Sequence, residues 1–143
     1  MNKQEYTDQL FGARRRAAKN LTTDNLRNLA KALHSAGNRA AHQEPNYLQA
    51  IEFYEEAVSI YNQIGDDAGR SSTYFDLGVA YEVGLHDNEL AYRYIKRALD
   101  FLQNERLRAH YERELNCLKV TTFKHGRFSG NLLNKTKSSK EDA

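Results

Sequence analysis

Cysteine occurs once, at Cys117, proline once, at Pro45, and tryptophan not at all. A lone cysteine excludes an internal disulfide framework and a multi-cysteine zinc site, and it fits a reducing, cytoplasmic location. One proline and eight glycines leave too few turn formers for an all-β chain of 143 residues. No apolar run approaches the ~18 residues of a membrane span, and mean hydropathy is −0.81. The opening MNKQEYTDQL has no apolar core of the kind a secretory leader carries. There is no glycine-rich phosphate loop, no Gly-x-Ser-x-Gly elbow and no His-Glu-x-x-His pair. His34 and His42 lie eight places apart, roughly 12 Å along a helix, too far to share a metal. The pairs Glu55-Glu56 and Asp66-Asp67 diverge by about 100° on a helix and make poor acid–base partners. Neither enzymatic activity nor a cofactor or metal is expected.

What is present is ordinary for one soluble domain: 40% hydrophobic and 28% charged residues. The net charge of +2 is unevenly spread. Residues 1–24 hold five basic and three acidic groups, residues 25–118 ten and fourteen, and residues 119–143 six and two. A mildly acidic body therefore carries basic ends. Arg14, Arg15 and Arg16, with Lys124, Arg127, Lys135 and Lys137, are the candidate contacts for an anionic partner such as nucleic acid.

An offset of 41 residues aligns the chain with itself without a gap. Leu33, Ala36, Gly37 and Ala40 fall on Tyr74, Leu77, Gly78 and Tyr81. Ala50, Ile51, Tyr54, Ala57, Val58 and Tyr61 fall on Ala91, Tyr92, Ile95, Ala98, Leu99 and Leu102. The spacings of three and four are helical, and each unit reads as two helices. Asp24 is expected to cap the first, Pro45 to stand near the start of the second, Gly84 to stop the third and Asp87 to cap the fourth. Mid-helix glycine costs roughly 1 kcal/mol against alanine, so Gly37 and Gly78 at one place in both units point to a close helix crossing. Tyr54, Tyr74, Tyr81 and Tyr92 read as fillers between hairpins, with hydroxyls that seek partners.

Two further helices are expected. Residues 4–20 present Tyr6, Leu10, Ala13 and Ala17 on one face, and residues 104–120 present Leu107, Tyr111, Leu115 and Leu118. The offset carries Tyr74 and Leu77 onto Leu115 and Leu118, so the last helix resembles a degenerate first helix of a third unit. Cys117, beside that stripe, reads as a buried thiol. The expected organisation is a helical domain over 1–120, with repeats at about 24–63 and 68–104, a cap at 105–120, and a basic flexible tail at 121–143.

The residues assembled at 74, 77, 78 and 81, with Ala91, Ile95 and Ala98, resemble the tetratricopeptide repeat, in a longer variety of about 40 residues. The resemblance implies an all-α, right-handed solenoid of two hairpins between an N-terminal helix and a C-terminal capping helix. It also implies a non-catalytic adaptor that holds a peptide segment of another protein in a groove lined by the first helices. The matching groove positions are Lys31, His34, Asn38 and His42 in the first unit, with Phe75, Asp76, Val79 and Glu82 in the second. Phe75 and Val79 either touch a bound segment or pack on the last helix. Some family members clamp a terminal carboxylate, but His34, Phe75 and Val79 replace the polar groups such a clamp needs. Two rival readings are a nucleic-acid-associated factor using the basic ends, and a self-associating module or small export chaperone that forms a homodimer.

Overall fold

The computed structural model describes residues 2–124, with side chains described to Lys119. Six α-helices and no strand occur among them: α1 Lys3–Lys19, α2 Thr23–His42, α3 Tyr47–Ile64, α4 Asp67–Leu85, α5 Asn88–Phe101 and α6 Glu105–Lys124. The last helix thus runs four residues beyond its expected end.

Local chemistry sets the boundaries. Asn2 and Glu5 form a reciprocal capping box on α1. Thr22, not Asp24, caps α2 by accepting from the Asn25 N–H at 3.1 Å. Asp24 instead stands in the first turn, where a negative charge still favours the helix dipole. Asn46 caps α3, so Pro45 lies just before the cap rather than inside the first turn. Gly65 ends α3 in the left-handed region at φ 72°, where glycine carries no Cβ penalty. Asp66 then opens α4, accepting from the Gly69 N–H at 3.0 Å. Asp87 caps α5 as expected.

Gly84 departs from its expected role. It lies inside α4, which continues to Leu85 and closes on His86. Any Cβ at Gly84 would run into the Tyr47 side chain, so this glycine seats a ring instead of stopping a helix. Gly69, near the other end of α4, seats Tyr61 in the same way. The antiparallel helices α3 and α4 are thereby drawn together at both ends.

The two hairpins, α2–α3 and α4–α5, close on the expected glycines. A Cβ at Gly37 would stand 2.5 Å from Tyr54 Cε1, and one at Gly78 would stand 2.6 Å from Ile95 Cγ1. Tyr54 and Ile95 are themselves 41 residues apart, so one seam is built twice with a different filler. Alanines 50, 57, 91 and 98 are fully buried opposite these first helices. Tyr54 and Tyr74 are core residues, whereas Tyr81 and Tyr92 are half-buried.

Three packed clusters follow one another along the array. One joins Ala13 and Ala17 of α1 to Leu29, Leu33 and Tyr61. The central one runs from Ala40 through Tyr54, Tyr74 and Leu77 to Tyr111. The last joins Ala91 and Ile95 to Leu118. Of the stripe expected on α6, Tyr111 and Leu118 are buried, Leu115 is half-buried and Leu107 is exposed. Cys117 is exposed, contrary to expectation, because it sits one step round from Leu118 and off the packed face.

Helix α1 completes a pattern. Leu10, Ala13 and Ala17 lie 41 residues before Ile51, Tyr54 and Val58, and α1 packs on α2 as α3 packs on α4. The described array therefore runs from a second-type helix, through two whole hairpins, to a first-type helix.

Candidate functional site

The first-type helices α2, α4 and α6 lie side by side, joined by specific contacts between their faces. His34 on α2 reaches Asp76 on α4, with Nε2 2.6 Å from Oδ2. Its other nitrogen, Nδ1, stands 3.3 Å from Thr73 Oγ1, and its ring meets the Tyr54 ring edge-on at 5.6 Å. The Tyr54 hydroxyl donates to Asn38 Oδ1 at 2.6 Å. Burial, reinforced by the nearby Asp76 carboxylate, raises the Tyr54 phenol well above its ordinary pKa. Four predicted or core residues thus form one half-buried polar network, and Thr73 is added to it.

Phe75 is used differently. Its ring stacks on Tyr111 of α6 at 4.0 Å, with an interplanar angle of 8°, and His110 stands 5.2 Å away. Of the two readings left open for Phe75, packing on the last helix is the arrangement present. Burial, then Asp76, pushes the Tyr111 phenol up to about 12.

Val79 is half-buried and Val83 is 50% exposed. Glu82, half-buried on the same helix, has its carboxyl raised above the usual range, first by burial and then by the charge of Glu114 on α6. Among the described residues, no ion pair reaches either carboxylate. Lys31 is exposed and lines a hollow of about 270 Å³ with Gln9, Arg16 and Asn28. His42 is exposed in the last turn of α2. The predicted positions therefore fall into a network around His34, a ring stack at Phe75, an acidic corner at Glu82, and two outlying groups.

The arginine run is divided, with Arg14 drawn away from its two neighbours. Arg14 makes a two-pronged bond to Glu56 of α3, at 2.5 and 3.0 Å. Arg15 lies over Phe11, 5.8 Å from the ring centre. Arg16 lines the hollow beside Lys31. Successive residues on a helix point about 100° apart, so Arg14 turns to α3 while Arg15 and Arg16 stay on the open side, where both line a hollow beside Gly12. The side chain of Lys124 and all of Arg127, Lys135 and Lys137 lie outside the described residues.

Thr73, His34 and Asp76 stand in the order of a hydroxyl, a base and an orienting carboxylate. The hydroxyl is not a nucleophile, however. Thr73 is completely buried, and its Oγ1 donates to the Gly69 carbonyl at 2.8 Å within its own helix. A reacting carbonyl has no approach to it. Among the described residues, no group of histidine, cysteine and carboxylate side chains is placed to hold a metal, and no helix is long and apolar enough to cross a membrane.

The residues missed in sequence are those whose partners are distant. Tyr54 reads from sequence as core, yet its hydroxyl is the bridge to Asn38. Thr73 shares a face with Asp76 at a spacing of three, a legible signal. Glu114 lies 41 residues after Thr73, and only the packing of α6 brings its charge within reach of Glu82.

Residues 40–104 match the family model of the tetratricopeptide repeat. The match covers α3, α4 and α5 and leaves out α1, nearly all of α2, and α6. No curated protein and no solved structure matches the chain. Repeats of this kind generally mediate contact between proteins.

Proposed function

We propose that this tetratricopeptide-repeat-like chain is a non-catalytic adaptor. It holds a segment of another protein across the row formed by α2, α4 and α6. The observation that supports this reading best is the acidic corner of Glu82 and Glu114 beside Val79 and Val83. Burial and the Glu114 charge make the ionised Glu82 carboxylate costly, and among the described residues no ion pair offsets that cost. A lysine or arginine from a bound segment relieves it, and an adjacent apolar side chain covers the valines. The partner is thus a segment pairing basic with apolar residues. His34 and Asp76, paired with each other, and Asn38, held by the Tyr54 hydroxyl, act as the wall behind it instead of reaching outward, with Lys31 and His42 at its margins. Phe75 contributes by positioning α6, so removing it disturbs the groove itself.

The test uses short synthetic peptides in which leucine alternates with lysine, against the same peptides carrying glutamate. Fluorescence anisotropy on the full chain should show preference for the basic series. The double variant Glu82→Lys, Glu114→Lys should lose that preference by about tenfold, the equivalent of ~1.4 kcal/mol, with its helical circular dichroism unchanged. Equal binding of both peptide series, or no response to the double variant, would remove the reading.

A further inference from the structure

The outer face of α1 carries Gln4, Asp8, Phe11, Gly12, Arg15 and Lys19, one stripe opposite the buried Ala13 and Ala17. Phe11 is 61% exposed, and no helix among the described residues covers it. Gly12 is anomalous beside the other mid-helix glycines. Gly37, Gly69, Gly78 and Gly84 each seat a ring or a packed chain, whereas Gly12 has only the flexible Arg16 guanidinium near the position of a Cβ. The helix-weakening cost of glycine is met here without any packing inside the protomer. Beside Gly12 lies an open hollow of about 500 Å³, lined also by Arg15, Arg16, Ala18 and Lys19.

Charge along the stripe is ordered. Its first half holds Asp8 and its second half holds Arg15 and Lys19. Turning a second copy antiparallel about the midpoint between Phe11 and Gly12 brings opposites together. Asp8 then faces the partner's Arg15, Arg15 faces the partner's Asp8, and Gln4 faces the partner's Lys19. Phe11 drops onto the partner's Gly12, into the open hollow, and the exchange is repeated by symmetry. An isologous twofold contact requires this kind of self-complementarity, and glycine opposite phenylalanine permits the ~8–10 Å axial separation of packed helices. A parallel arrangement would set Asp8 on Asp8 and Arg15 on Arg15.

We infer that this face is a self-docking surface, through which two copies of the chain pair antiparallel along α1. The inference is separate from the groove, which lies on other helices. A single helix pair is smaller than the ~1,200–2,000 Å² of a standard stable interface, so the dimer is weak and dissociates on dilution. Its charge pairs are exposed and it loosens with salt.

Sedimentation velocity of the full chain over a wide concentration range, at low and high salt, reads the effect. The wild-type chain should shift from monomer to dimer as concentration rises. Phe11→Glu should remain monomeric with unchanged helicity. Asp8→Arg alone and Arg15→Asp alone should each weaken pairing about tenfold, because each sets like charges opposite one another twice. A mixture of those two variants should pair again, since every arginine of one chain then faces an aspartate of the other. A wild-type chain that stays monomeric at every concentration, a Phe11→Glu variant that still dimerises, or a mixture that does not pair overturns the inference.

Discussion

His34, Asn38 and Ala41 in the first hairpin and Phe75, Val79 and Glu82 in the second hold the same three places in the repeat, 41 residues apart. Their chemistry is nevertheless different. In the first set, His34 and Asn38 are drawn into polar bonds with Asp76 and Tyr54, and Ala41 is buried. In the second, one member stacks on Tyr111 and another feels the charge of Glu114. The neighbouring helix accounts for the difference. Helix α2 lies beside α4, which offers a carboxylate at Asp76, whereas α4 lies beside α6, which offers a ring at Tyr111. By contrast, the seam behind these positions repeats closely, glycine against a large side chain with fully buried alanines on the second helix. Backbone approach tolerates little variation, while the row in front of it takes its character from whatever stands opposite.

The largest expected effects come from breaking the seam. Gly37→Ala places a methyl group against the Tyr54 ring, which Asn38 holds by its hydroxyl. Overpacking costs about 1–3 kcal/mol, offset by about 1 kcal/mol of recovered helix propensity. A net loss of up to roughly 2 kcal/mol in urea unfolding is expected. Gly78→Ala meets the Ile95 side chain, which can rotate more readily than a pinned ring, although the Ala91 carbonyl oxygen stands 3.1 Å away. Its loss should be the smaller of the two. Equal losses would show that the two fillers are equally rigid, and reversed losses that the Ile95 side yields less than the pinned Tyr54 ring.

A middle-sized effect isolates the polar network. Tyr54→Phe keeps the ring against Gly37 and removes only the hydroxyl that Asn38 accepts from. A cost of about 0.5–1.5 kcal/mol is expected, and it should largely disappear in an Asn38→Ala background, since the bond is already absent there. Independent losses from the two changes would mean that Tyr54 and Asn38 act separately.

How much of this was legible follows from the same contrast. The repeat, the all-helical class and the packing role of Gly37 and Gly78 were readable because buried small residues at helical spacing leave little room for another arrangement. The Asp87 cap was readable because its partner N–H is local, three residues away. The role of Gly84 was not. Sequence treats glycine near the end of a helix as a stop, while its contact with Tyr47 is set by how α3 docks on α4. The groove set was legible as positions on one face but not as partners. Whether Phe75 meets a guest or Tyr111 depends on the placement of α6, and the pairing of Arg14 with Glu56 depends on two helices separated by a third.

The smallest predicted effect bears on the acidic corner, where position 82 holds glutamate and its counterpart 41 holds alanine. Burial and Glu114 raise the Glu82 carboxyl in the folded protein above its ordinary unfolded value. When both states are ionised, the folded state carries the repulsion. As pH falls through the raised folded value, the folded protein takes up the proton first, so stability rises, and the relief is complete below the ordinary glutamate range. Glu82→Gln removes the penalty at every pH. At neutral pH the variant should therefore be slightly more stable than the wild-type chain, by about half a kcal/mol or less given how much solvent reaches the site. The advantage should vanish as the solution is acidified. Thermal unfolding of both chains from neutral to acidic pH measures it, and a Gln variant less stable at neutral pH would mean that Glu82 is held by an attraction stronger than its repulsion from Glu114.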